Sequence, residues 1–207
     1  MASMSNAISH VKFAPAVEGV LPVFLQRWSG RAFSERPVSD ADLKTIFEAA
    51  RWSPSAFNEQ PWRFIVGVLG TETHARLAEV LMGFNQTWAP KAPVLILGVA
   101  KDKFSHNNAA NGYALYDLGA ATAALVTQAA VQGLTAHQMA GFDHEAARKA
   151  LGIPEGYVLG VVTAMGYPGE ASLLGNEKLI ELEKAPRSRK ALDEIVQTAW
   201  GESAKLG

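Results

Sequence analysis

Cysteine is absent from the 207-residue chain. Its absence excludes disulfides, thiolate catalysis and cysteine-ligated zinc or iron–sulfur sites. An excess of either charge is missing too, with 19 Lys and Arg against 20 Asp and Glu, a formal net charge of −1. Such a balance leaves no electrostatic footprint for nucleic acid or for an anionic membrane surface. The patterns GxGxxG, GxxxxGK[ST], HExxH and GxSxG are all lacking. A dinucleotide-binding turn, a phosphate loop, a zinc-protease helix and a nucleophile elbow therefore have no support. The five histidines (His10, His74, His106, His137, His144) show no metal-ligand spacing and read as packing or surface residues, so no metal site is expected. Residues 1–20 lack the basic and then apolar stretches of a secretory signal, and the apolar run 92–100 is too short to cross a bilayer. The expectation is a cytoplasmic protein with neither a nucleic-acid nor a membrane partner.

What is present reads as one domain, because a single core typically serves up to about 250 residues. It is expected to fill residues 1–207, with a core over about 21–190 and terminal extensions at 1–20 and 191–207. Ser39 is a good N-cap. Asp40 and Asp42 then suit the positive end of a helix dipole, and Leu43, Ile46, Phe47 and Ala50 form an apolar stripe that Pro54 ends. Residues 62–69 and 93–100 are short apolar runs that read as buried strands. Between them, residues 71–82 form a second helix with Leu77, Val80 and Leu81 inward. Residues 107–132 are alanine-rich and uncharged after Asp117, which predicts a long helix buried on most sides and stopped by Gly133. Asp143 caps a helix ending near 152–154, and residues 157–165 give a third buried strand. The tail from Glu170 is polar and carries Arg187, Arg189 and Lys190. Long helices with few strands indicate an α/β or α+β sandwich.

Three segments carry unusual chemistry. In the first, Arg27 and Arg31 flank Ser29, and two guanidinium forks so placed can surround one phosphate. Solvated surface arginines are the plain alternative. In the second, Pro54, Ser55, Asn58, Gln60 and Pro61 make a stiff polar loop between a helix and a strand. Its amides, both donor and acceptor, suit the edge of a heterocycle; an ordinary connection uses the same residues. The third, Arg187-Ser188-Arg189, is by itself a solvated cluster as readily as a phosphate site.

Taken in order, these segments resemble the nitroreductase family of flavoenzymes. Arg-x-Ser-x-Arg-x-Phe from Arg27, then Pro-Ser-x-x-Asn-x-Gln-Pro-Trp from Pro54, matches the family's opening signature. The later elements follow: the turn Met139-Ala140-Gly141-Phe142-Asp143, Leu151-Gly152-Ile153-Pro154, Met165-Gly166-Tyr167-Pro168, and Arg187-Ser188-Arg189. The resemblance implies an α+β fold, a three-layer α/β/α sandwich whose mixed, mostly antiparallel sheet is flanked by helices, in an intertwined homodimer. It implies FMN as cofactor, NAD(P)H as co-substrate and a small-molecule acceptor such as a nitroaromatic or quinone, reached by a ping-pong route.

By the same resemblance, Arg27, Arg187 and Arg189 hold the FMN phosphate with Ser29 alongside, and Arg31 lies near the N1/O2 edge of the ring, tuning it. Trp28 stands in this segment where several relatives carry a smaller or polar residue, altering the adenine-side surface. Pro54, Ser55, Ala56 and Asn58 reach the flavin of the other subunit. Met139, Ala140 and Gly141 lie against the ring near N5, with Asn85 at its edge. Many members carry Glu at the position of Ala140. No side chain is implied as a catalytic acid. A non-catalytic flavin carrier and a phosphate-ligand module without flavin stand as the alternatives.

Overall fold

A computed structural model describes residues 12–206. His10 and much of the 1–20 extension lie outside the described residues. The order is α1 (Pro22–Gln26), α2 (Asp40–Arg51), β1 (Trp62–Val68), α3 (Glu72–Glu79), β2 (Val94–Lys101), α4 (Ala114–Val131), β3 (Thr135–Met139), α5 (His144–Ala150), β4 (Tyr157–Gly166), α6 (Glu177–Lys184) and α7 (Leu192–Ile195). A small hairpin, β5 (Gln197–Ala199) and β6 (Glu202–Ser203), follows. The main sheet runs β1-β2-β4-β3, and all three of its pairings are antiparallel.

Strand β2 decides the layering. Val94 and Ile96 point to one face while Leu95 and Leu97 point to the other, as the two-residue period of a strand requires. Val99 keeps the Leu97 face by the same period, and the bulge opposite Leu97–Val99 lies in β4, where Leu159 and Val162, three apart, share that face. Against the Val94 face pack α2, through Leu43, Ile46 and Ala50, and α4, through Leu118, Ala121, Leu125 and Ala129. Against the other face pack Leu77 of α3, Ala147 of α5 and Leu179 of α6. The result is the expected α/β/α sandwich. Full burial of Ile96 or Leu97 contributes about 1.5–3 kcal/mol each. Helix α4 sits close because glycine leaves room: a Cβ on Gly160 would stand 2.7 Å from Leu118 Cδ2.

The caps behave as the sequence predicts, with Ser39 accepting from Asp42 N and Asp143 from Ala146 N. Four boundaries differ. The helix expected over 71–82 stops at Glu79, because Leu81 bridges Phe142 and Val80 O accepts from Asp143 N. The helix expected from Asn107 starts only at Ala114. The side chains of Asn107 and Asn111 accept from Ala109 N and Tyr113 N, local turns that compete with helix. Strand β3 and helix α6 lie where no element was expected. Nor is α4 buried on most sides within one chain. It buries one stripe and leaves Leu115, Tyr116 (79% exposed) and Val131 outside. By length and composition α4 is also the one described helix that could cross a membrane, but its apolar stripe packs on the sheet.

Candidate cofactor site

After α1 the chain turns extended and runs alongside β3. Gly30 N donates to Thr135 Oγ1 at 3.2 Å, Gly169 N donates to Ala32 O at 2.9 Å, and Phe33 bridges Pro168. The approach is close enough that a Cβ on Gly30 would lie 2.8 Å from Thr135 Oγ1. This path brings Arg27, Trp28, Ser29 and Arg31 to the Thr135 end of the edge strand.

The C-terminal arginines come to the same place. Arg187 Nη1 donates to Arg27 O at 2.6 Å, and its Nη2 to Leu25 O. Its Nε is buried with no partner. Arg189, more exposed, donates to Ser188 O. Burial and then the positive charge of Arg189 lower the pKa of both Arg27 and Arg187, and Arg27 further lowers that of Arg187. Among the described residues no carboxylate bears on either. Like charges held together and partly dehydrated, with a free buried donor, fit a dianion such as a phosphate monoester.

Arg31 is different. Its own N–H donates to Glu183 Oε1 at 2.9 Å, Ala32 N donates to the same oxygen at 3.0 Å, and Arg31 Nη1 lies 3.9 Å from Glu183 Oε2. Glu183 is 2% exposed. Trp28 packs over Lys12, with the ammonium 4.9 Å from its ring. Arg31 also lies over Trp88 at 5.8 Å, beside a cleft of about 750 Å³ between residues 31–38 and 88–93.

At the other end of β3 stands the turn of Met139, Ala140 and Gly141. Gly141 O accepts from Met82 N at 3.0 Å and from Asn85 Nδ2 at 3.2 Å. Asn85 therefore docks on the turn, and a Cβ on Gly141 would lie 2.9 Å from that amide. Met139 is buried and Ala140 exposed. The five residues of β3 put the turn and the arginines about 13 Å apart along one strand.

Two residues here escaped the sequence reading. Glu183 sits in a polar tail with no motif around it. His137 belongs to β3, its ring 4.8 Å from that of Trp88, and His137 Nδ1 and Trp88 Nε1 are both buried without partners. Burial, and then the neighbouring Arg31, push the His137 pKa down to about 4. Its only sequence signal is polarity in a strand otherwise set for the interior. The packing reading holds for His74, whose Nε2 pairs with Ala92 O, and the surface reading for His106 and His144. Among the described residues no cluster of His, Asp and Glu could hold a metal.

The loop of Pro54, Ser55, Ala56 and Asn58 is not brought to the arginines. It precedes Trp62, which pairs with Ala100 and through it with Val158, whereas the arginine segment meets Thr135, which pairs with Gly166. Eight residues of β4 separate those levels, about 26 Å. The loop is tied instead to α4, with Ala56 N donating to Asp117 Oδ2 at 3.1 Å. Phe57, Asn58 and Gln60 all adopt φ near +50°, a left-handed backbone unusual for such residues. Phe57 is 81% exposed.

The nitroreductase family profile matches residues 24–87 and 71–167. An Archaeoglobus fulgidus protein, whose name proposes NADH dehydrogenase or NAD(P)H nitroreductase activity, is 35% identical over 158 residues, 73% of this chain and 87% of that one. A Thermus thermophilus NADH dehydrogenase is 30% identical over 191 residues, covering 74% of this chain and 92% of its own. The crystal structure of an oxidoreductase described as containing FMN superposes with a TM-score of 0.83 at 32% identity, over 96% of this chain and 97% of that one. Profile, relatives and fold agree with the ordered motifs, and the chain belongs to the nitroreductase family.

Proposed function

We propose that the protein is an FMN-dependent oxidoreductase that works as a homodimer, taking electrons from NAD(P)H and passing them to an oxidised organic acceptor such as a nitroaromatic or quinone. The observation that carries this is the arginine set of Arg27, Arg187 and Arg189. Among the described residues none of the three pairs with a carboxylate, and the set lies one strand-length from a backbone turn. Bound FMN supplies a two-electron carrier that reacts with donor and acceptor in turn.

The chain's own residues bind and orient it. Arg27, Arg187 and Arg189, with Ser29 beside them, hold the phosphate, and the buried Arg187 Nε gains the partner it lacks. Arg31 faces the pyrimidine edge, where a positive charge favours electron density. Met139, Ala140 and Gly141 offer backbone groups to the ring, braced by Asn85. The partner subunit's Pro54, Ser55, Ala56 and Asn58 close the other side. The separation of that loop from the arginines supports a shared site, as do the exposed apolar side chains of Trp52, Phe57, Leu115 and Tyr116. Large apolar side chains left exposed together are what an interface would cover.

The test is reconstitution followed by anaerobic reduction. Stripped protein should take up FMN stoichiometrically, sediment as a dimer, and lose its visible flavin absorbance on addition of NADH or NADPH. Flavin that binds but stays coloured makes the protein a carrier. Retention of inorganic phosphate with no uptake of FMN makes it a phosphate module. Fractionation of the source cells checks the expected cytoplasmic location.

A further inference from the structure

The cations of the site fall into two groups, and a single carboxylate divides them. Arg27 and Arg187 sit against other arginines, with Lys12 also in the reach of Arg187, and among the described residues neither pairs with a carboxylate. Arg31 and Lys12 both have Glu183. Glu183 does more than pair. One of its oxygens accepts from the backbone of Arg31 and of Ala32, at 2.9 and 3.0 Å. The other lies 3.1 Å from Arg31 N and 3.9 Å from Arg31 Nη1. The carboxylate is almost fully buried in a helix end that also holds Lys12, whose Nζ donates to Leu182 O at 2.9 Å. A charge kept at that depth acts through a medium of low effective dielectric, where it is felt over several ångströms.

We propose that Glu183 is a positioning residue that sets the redox potential of the bound flavin by offsetting the charge of Arg31. This rests on the FMN reading given above. A phosphate dianion is best met by uncompensated positive charge, which Arg27 and Arg187 provide. A heterocycle that gains negative charge on reduction is different: every unit of positive charge at its pyrimidine edge tightens the hold on the reduced form. A bare Arg31 would pull the potential up. Glu183 holds the guanidinium in place and returns part of that pull, so the flavin remains a stronger reductant. No proton or electron is added to the reaction by this arrangement.

Glu183→Gln tests it. The amide oxygen can still accept from Arg31 N and Ala32 N, while the negative charge is gone. The holoprotein should retain oxidised FMN within about threefold of wild-type affinity, because the phosphate arginines are untouched. Its preference for reduced over oxidised flavin should rise on the order of tenfold, about 30 mV upward for a two-electron couple. In an Arg31→Gln background the same change should give a smaller rise, from loss of the carboxylate's own field alone. A purely structural role would lower stability or FMN retention without this dependence on Arg31. An unmoved potential in a folded, FMN-loaded Glu183→Gln protein overturns the proposal, as does an equal rise with Arg31 already removed. Should Glu183→Gln fail to fold, Glu183→Asp draws the carboxylate back from Arg31 and is expected to give a smaller rise; no rise there is equally fatal. A wild-type protein that takes up no FMN overturns this proposal and the functional reading together, whereas FMN uptake with an unmoved potential overturns this one alone.

Discussion

The arginine end of the site and the loop at residues 54–58 are built on opposite principles. At the first, contacts join residues some 150 to 160 positions apart: Glu183 holds Arg31 and Ala32, and Arg187 holds Arg27 and Leu25. These groups are buried or half-buried, and each tie crosses from one end of the chain to the other. At the second, the loop is fastened by hydrogen bonds from Ala56 N to Asp117 and from Ser105 to Glu59, all at exposed or half-buried positions, and by local bonds such as Gln60 N to Ser55 Oγ. It carries three left-handed residues and an almost bare phenylalanine. The first region is complete within one chain. The second meets its own chain mainly through Phe57 against Phe104 and His106, and leaves most of that ring bare, as expected of a segment shaped for a neighbouring copy.

That contrast can be attacked at several points, starting where the effect is largest. Arg187→Ala removes a donor to the phosphate and two ties to the N-terminal segment, so FMN affinity should fall about a hundredfold, near the top of the range for a charged hydrogen bond. Arg189→Ala, at an exposed position, should lose about tenfold. Quenching of FMN fluorescence measures both, and retention unchanged in the two variants would remove them from the site.

Next comes the neighbouring copy. Tyr116→Asp puts a charge on the exposed face of α4 and should yield monomers by sedimentation equilibrium, with FMN held about tenfold more weakly once the partner's loop is lost. A monomer with full FMN affinity would show the site to be closed within one chain. Asp117→Ala leaves Ala56 N without its acceptor, which costs about 1–3 kcal/mol and should lower Tm by several degrees. Because the arginine end is untouched, FMN affinity should change by less than in Arg187→Ala; an equal loss would erase the distinction between the two regions.

The last effect lies in acid. Unfolded, His137 takes up a proton as pH falls through about 6.5. Folded, it stays neutral to about 4, because burial and Arg31 oppose its charge. The unfolded chain therefore binds more protons between those values, and stability falls as pH drops from 6.5 to 4, with a limiting slope of about 1.4 kcal/mol per unit. His137→Gln should flatten that slope in urea titrations of the FMN-free protein at pH 7 and pH 5. Equal slopes in the two proteins would place the histidine outside the arginines' field.

Where the sequence was readable, one residue's environment matched its pattern. Leu43, Ile46 and Ala50 repeat at helical spacing and are buried, and the apolar run from Val94 became a strand covered on both faces. The unread elements break their pattern for functional reasons. In α6 the inward positions are Leu179 and Glu183, four apart, so a carboxylate stands where the stripe needs an apolar residue. In β3 the edge strand carries Thr135, His137 and Gln138, because it borders a polar site rather than solvent or core alone. The motifs named Arg27, Arg187 and Arg189 together, and the fold brings these three to one place. The motifs could not indicate that Arg31 is answered by an acid, since Glu183 lies outside every motif.

The glycine notch under α4 reaches further than packing. Leu118 rests where Gly160 has no side chain, and the preceding residue, Asp117, holds the loop at Ala56. Depth of seating at the sheet and aim of the carboxylate are thus one mechanical setting, shared by two adjacent residues of a stiff rod. A methyl group at position 160 would meet Leu118 Cδ2 at 2.7 Å and force that side chain, next to Asp117, to repack. The sheet in this way serves as the jig on which the far loop is aligned, and a change in its centre would be read out at Ala56.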